Sequence, residues 1–150
     1  MDTADLCYLP ALDLRELFAK RELSPVELTT AILDRITAIN PSLNAYITIT
    51  ADLALKQARS AEASYAQGDA PPLAGIPFSL KDLTATKGIR TTRGSLLYQD
   101  WLPDYDAPLA ERLYAAGGVL LGKTNTPEFG WKGDSGNRVC GPTHNPWQHG

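Results

Sequence analysis

Segments with a helical period and short apolar runs alternate along this chain, and that alternation leaves few architectures open. Residues 12–20 place Leu14, Leu17 and Phe18 at helical spacing. Ser24-Pro25-Val26-Glu27 then reads as N-cap, first-turn proline and N3 glutamate, a capping box. Ile32, Leu33, Ile36 and Ile39 line one face of that helix, and Pro41, which has no N–H to donate, is expected to stop it after Asn40. Tyr46-Ile47-Thr48-Ile49 has the β-branched and aromatic character of a short strand. Ala54, Leu55, Ala58, Ala61 and Tyr65 recur at helical intervals across residues 51–67, with Gly68 as the stop and Asp69-Ala70-Pro71-Pro72 as a loop.

The second half continues the pattern. Residues 77–81 form a strand, and Thr84 to Thr92 is loop with its turn at Lys87-Gly88. Asp106-Ala107-Pro108 opens a helix that runs to about Ala116, with Asp106 as its N-cap and Gly117-Gly118 as its close. Val119-Leu120-Leu121 is a buried strand, Thr126-Pro127-Glu128 starts another helix, and Gly130 to Gly150 is loop. Helix and strand in alternation predict an α/β fold with a parallel or mixed sheet.

Composition removes several classes of function. The 14 basic residues form no run or stripe and the net charge is −3, so no footprint for a phosphate backbone exists and direct nucleic-acid binding is not expected. Met1-Asp2-Thr3-Ala4-Asp5 is acidic where a secretory signal is basic, and no apolar run reaches the ~18 residues that span a bilayer. Two cysteines, Cys7 and Cys140, make no disulfide framework, which suits a reducing, cytoplasmic setting with no membrane partner.

The residue that asks for a chemical explanation is Lys81, inside the run Gly75-Ile76-Pro77-Phe78-Ser79-Leu80-Lys81-Asp82. Strand alternation puts Ser79 and Lys81 on one face and Phe78 and Leu80 on the other. A lysine held in apolar surroundings either finds an acidic partner, here the adjacent Asp82, or becomes a usable base, because burial disfavours the ammonium. Both outcomes are open from the residues alone.

Other constellations are weaker. Gly117-Gly118-Val119-Leu120-Leu121-Gly122-Lys123-Thr124 fits the spacing of a phosphate-binding loop, but a helix precedes it and its middle wants to be a strand, the reverse of the strand, loop and helix that such a cradle needs. Cys140, His144 and His149 match no common zinc spacing and read as loop residues. Ser95 and Ser135 sit in no nucleophile elbow, and the two histidines, both in the terminal loop, give little support to a Ser-His-Asp triad.

Taken in order, Gly75-Ile76-Pro77 into Lys81-Asp82, Thr91-Thr92-Arg93-Gly94-Ser95, Ala116-Gly117-Gly118-Val119 into Gly122-Lys123-Thr124-Asn125, Glu128-Phe129 and Asn145-Pro146-Trp147 resemble the blocks of the amidase signature hydrolases. The resemblance implies an α/β/α sandwich around a mixed sheet, incomplete in this chain. It implies the N-terminal part of a single amidase domain, with residues 1–70 a helical covering region and 71–150 the first core strands and loops. It implies that Lys81 is the catalytic base of a Ser-Ser-Lys triad, acting through a bridging serine on a nucleophilic serine, and that no metal or organic cofactor is needed. No residue here matches either serine or the oxyanion loop, so the segment is expected to be inactive alone. Trp131, after Phe129-Gly130, falls where the family's loop approaches substrate, either as part of an acyl pocket or as a cover for the core. Asp82 is expected to hold loop backbone or Lys81. The implied partner is a small-molecule amide, linear or cyclic, and a homodimer of the full-length protein is the candidate assembly. A glutamine-consuming subunit of a tRNA amidotransferase and a truncated, non-catalytic module are the alternatives.

Overall fold

The computed structural model describes residues 3–148. Its helices are α1 (Thr3–Leu6), α2 (Ala11–Lys20), α3 (Pro25–Leu43), α4 (Ala51–Gln67) and α5 (Pro108–Ala115), and its strands are β1 (Tyr46–Ile49), β2 (Pro77–Lys81) and β3 (Val119–Thr124). The chain divides into two compact units, one of Met1–Thr37, Thr50–Phe78 and Arg112–Leu121, the other of Ala38–Ile49, Ser79–Glu111 and Gly122–Gly150. The strand order is β1-β3-β2.

The first unit is organised by a helical core of Leu6, Leu14, Phe18, Leu23, Leu28 and Ala31, with Tyr65 and Ile76 packed against it. Burying side chains as large as Phe18 and Leu28 contributes roughly 1.5–3 kcal/mol each. Ser24 caps α3 as the sequence requires: its Oγ accepts from Val26 N at 3.0 Å and Glu27 N at 3.5 Å. The hydroxyl proton, however, goes to Glu62 Oε1 at 2.5 Å, so Ser24 ties the start of α3 to α4. Gly68 ends α4 in a left-handed conformation, as expected. After α5, Gly117 N–H bonds Tyr114 O at 2.9 Å and Gly118 N–H bonds Leu113 O at 3.0 Å, so the helix closes on the two glycines.

Four expectations about helices change. Helix α3 does not stop at Asn40 but carries Pro41 inside it to Leu43. The proline costs its own hydrogen bond only, since Asn44 N–H reaches Asn40 O at 2.7 Å and continues the turn. Of the expected face of α3, Leu33 and Ile36 are buried and Ile32 packs against the core, but Ile39 is 40% exposed, and the buried stripe also takes in Leu28, Thr29 and Ala31. Asp106 does not cap α5: its carboxylate accepts from Lys87 N at 2.8 Å, steadying the Lys87-Gly88 turn. The helix expected from Thr126-Pro127-Glu128 is a single 3-10 turn, Glu128–Gly130, because Phe129 takes a left-handed φ of 50°.

In the second unit β1 pairs antiparallel with the end of β3, Tyr46 opposite Thr124, Thr48 opposite Lys123 and Ile49 opposite Gly122, with an irregularity between Tyr46 and Thr48. A Cβ on Gly122 would lie 2.2 Å from Thr48 O, so the close approach of the two strands needs a glycine there. β2 and β3 run parallel. Val119 N bonds Ile76 O at 2.9 Å near one end, and Asp82 N bonds Thr124 O at 2.9 Å near the other. The result is the mixed sheet of an α/β fold, with the central strand β3 buried from Val119 to Lys123. Residues Gly117–Thr124 are thus a helix end followed by a strand, and form no phosphate cradle.

Candidate active site

β2 delivers Lys81. Leu80 is buried on one face, while Ser79 is half-buried and Lys81 exposed on the other, the alternation that the sequence predicts. Ser79 Oγ and the Tyr46 hydroxyl share a hydrogen bond of 2.5 Å on that polar face. Among the described residues no ion pair involves Lys81.

Asp82 turns the opposite way and is fully buried. It does not pair with Lys81. Its Oδ2 accepts from Thr92 N at 2.8 Å and from the Thr92 hydroxyl at 2.5 Å, its backbone O accepts from Arg93 N at 2.9 Å, and Thr92 Oγ1 in turn accepts from Gly94 N at 3.0 Å. Its Oδ1 has no hydrogen-bond donor among the described residues and faces Lys123 Nζ at 3.7 Å. The partner of Asp82 is therefore loop backbone, as expected, together with a different lysine.

Lys123 is the lysine that burial affects. Its side chain has no exposed surface, and Nζ donates to Thr84 O at 2.6 Å and to Thr91 Oγ1 at 2.7 Å. Burial lowers its pKa to about 8, with the Asp82 carboxylate opposing the shift. Burial likewise raises the Asp82 carboxyl above the ordinary carboxylate value, against the hydrogen bonds from Thr92 and the attraction of Lys123. Desolvation outweighs the attraction between the pair in both groups. The sequence carried a signal for this: Lys123 ends an apolar run, as Lys81 does. The phosphate-loop spacing around it pointed to the wrong chemistry.

A third feature went unread in the sequence. Asn137 Nδ2 donates to Asn125 Oδ1 at 2.7 Å and Thr126 O at 2.8 Å, while Asn137 Oδ1 accepts from Val139 N at 2.8 Å and Cys140 N at 2.7 Å. Asn44 Nδ2 holds Cys140 O at 2.7 Å and Pro142 O at 3.0 Å. These side-chain amides replace secondary structure across the terminal loop. The serines considered as nucleophiles have structural partners: Ser95 Oγ accepts from Leu97 N at 3.4 Å and Ser135 Oγ from Thr143 N at 3.0 Å. Trp131 is 75% exposed, with Lys132 Nζ 5.7 Å from its ring, so within this chain it covers no core. Among the described residues no group of three His, Cys, Asp or Glu side chains could hold a metal ion; His149 lies outside them. No described helix is long and apolar enough to cross a membrane.

This architecture has relatives. A family profile described as Amidase matches residues 27–150. A glutamyl-tRNA(Gln) amidotransferase subunit from Moorella thermoacetica is 45% identical over 144 residues, covering 95% of this chain and 30% of that protein. Among solved structures, a bacterial aryl acylamidase of the amidase signature enzymes superposes with a TM-score of 0.88 at 30% identity, over 96% of this chain and 30% of that one. The peptide amidase of Stenotrophomonas maltophilia gives 0.81 at 37% identity, over 91% and 29%. The chain spans less than a third of the length of these relatives. By the match to residues 27–150 and by these likenesses, this chain belongs to the amidase signature family.

Proposed function

We propose that the full-length protein hydrolyses a carboxylic amide C–N bond, with Lys81 as the base of a Ser-Ser-Lys triad whose serines lie outside these 150 residues. The observation that carries this reading is the separation of two neighbouring charges. Asp82 is consumed by Thr92 and Lys123, whereas the Lys81 amine stands on the open face of β2 without an ion pair among the described residues. An amine left unpaired can take a proton; one bound to a carboxylate cannot readily do so.

In the reaction, the nucleophilic serine attacks the amide carbonyl while its proton passes through the bridging serine to the Lys81 amine. The proton then goes to the departing nitrogen as the C–N bond breaks, and water hydrolyses the acyl-enzyme by the same relay. Trp131, exposed on its loop, is the residue of this chain we assign to the acyl pocket, and its truncation is expected to act on KM. The substrate is a small amide, linear or cyclic. The protein works in the cytoplasm, without a metal or organic cofactor and without direct nucleic-acid contact, as a monomer or a homodimer.

The test is Lys81→Ala in the full-length protein, assayed on a panel of amides. Turnover is expected to fall by on the order of 10²–10⁴-fold; normal turnover in a folded variant would sink the proposal. The 45% identity to one subunit of a tRNA amidotransferase supports a second reading, in which the protein consumes glutamine only within a complex. Hydrolysis of simple amides by the purified protein alone favours the first reading. Glutamine hydrolysis that appears only on adding partner subunits favours the second.

A further inference from the structure

Arg93 differs from the other half-buried cations among the described residues. Arg35, Arg90 and Lys132 each have a polar partner, the Tyr8 hydroxyl, Gln99 O and the Asp134 carboxylate respectively. The Arg93 guanidinium has no ion pair and no hydrogen bond among the described residues. What holds it is aromatic: its central carbon lies 4.8 Å from the ring centre of Tyr98 and 4.6 Å from that of Trp101, two rings that meet edge to face at 5.5 Å. The backbone beneath is fixed on both sides. Arg93 N donates to Asp82 O at 2.9 Å, Phe129 N donates to Arg93 O at 2.8 Å, and Arg93 keeps a left-handed φ of 54°, uncommon away from glycine. The Phe129 ring stands edge-on to Tyr98 at 6.0 Å. Arg93 is thus bonded to the residue after Lys81 and to the turn that leads into Trp131.

We propose that Arg93 is a carboxylate-binding residue, and that the amide taken by the full-length protein carries a carboxylate on its acyl part. Contact with ring faces holds a guanidinium in place and spends none of its N–H groups. Those groups form a planar fork that matches a carboxylate through two parallel hydrogen bonds. The rings also keep water from part of the charge, which strengthens its attraction for an anion. The acyl part is the end of the substrate concerned, because Arg93 O holds Phe129 at the start of the turn that presents Trp131. The inference deepens the reading of the protein as an amide hydrolase and rests on it.

The experiment compares kcat/KM of the full-length protein on two matched pairs of amides, succinamate with butyramide and 4-carbamoylbenzoate with 4-methylbenzamide. In at least one pair the carboxylate is expected to be preferred by on the order of 10–100-fold, and Arg93→Met to remove that preference through KM. An equal loss on both members of the pair marks a purely structural arginine and overturns the inference. So does a wild-type protein with no preference in either pair, the result expected if an acidic side chain beyond residue 150 takes the guanidinium. Should Arg93→Met not fold, Arg93→Lys, which keeps the charge without the fork, is expected to lose most of the preference; full preference in it overturns the inference. Calorimetric binding of the same four amides to Lys81→Ala protein separates the two levels of argument. Turnover retained by that variant, or absent on every amide in the wild type, ends the hydrolase reading through Lys81. An inactive Lys81→Ala protein that binds both members of each pair equally ends only the role of Arg93.

Discussion

Asp82 and Lys123 face each other at 3.7 Å with no exposed surface on either side chain, and neither gains enough from the other to offset its burial. Lys123 is lowered to about 8 from an ordinary 10.5, so between those values the unfolded chain holds more protons and the stability tied to this group rises with pH. Asp82 is raised, so the folded state holds the extra proton and the stability tied to this group falls as pH rises through its folded value. Relative to Lys123→Met, the wild-type protein should therefore gain stability from about pH 8 to pH 10.5, on the order of 3 kcal/mol. Denaturant midpoints of the two proteins across that range check it; a constant difference would show that Lys123 titrates normally.

Breaking the pair and deleting it should differ at neutral pH. Lys123→Met leaves a buried carboxylate with only Thr92 as partner and should cost about 3–5 kcal/mol. Adding Asp82→Asn removes the unmatched charge and keeps an oxygen for Thr92 N–H, so most of that loss should return. A double variant as unstable as the single one would mean that the Lys123 hydrogen bonds to Thr84 and Thr91, rather than charge, dominate.

Gly122 admits no side chain. Its Cβ would lie 2.2 Å from Thr48 O and 3.1 Å from Ile49 Cα, both backbone atoms of β1. Gly122→Ala should cost about 2 kcal/mol or more by pushing β1 off β3. Gly68→Ala, at a left-handed φ of 80° with nothing within 4 Å, should cost only about 1 kcal/mol. The order of the two melting temperatures is the readout.

Asn137→Ala removes three donated bonds, to Asn125, Thr126 and Ser135, and two accepted ones, from Val139 and Cys140. A loss of roughly 1–3 kcal/mol is expected, with the exchange protection of the Val139 and Cys140 amides lost first. Unchanged exchange at those amides would mean that other side chains, Asn44 and Asn125 among them, order the loop.

Local chemistry was legible in the residues. The Ser24 cap, the Gly68 stop, the bounds of β2 at Pro77–Lys81 and the closure of α5 on Gly117-Gly118 depend on groups within a few positions of one another, and their spacing states them. So does the outward face shared by Ser79 and Lys81, which follows from the two-residue period of a strand. The partner of Asp82 could not be read this way. Lys81 is its neighbour in the chain, yet the strand turns the two side chains to opposite faces, and only the parallel docking of β2 on β3 brings Lys123 across. Asp106 on the Lys87 turn and the asparagine clamps of the terminal loop are of the same kind. Each is settled by a hydrogen bond or packing contact that exists only after distant segments have met, and tertiary contacts of that strength override local preference.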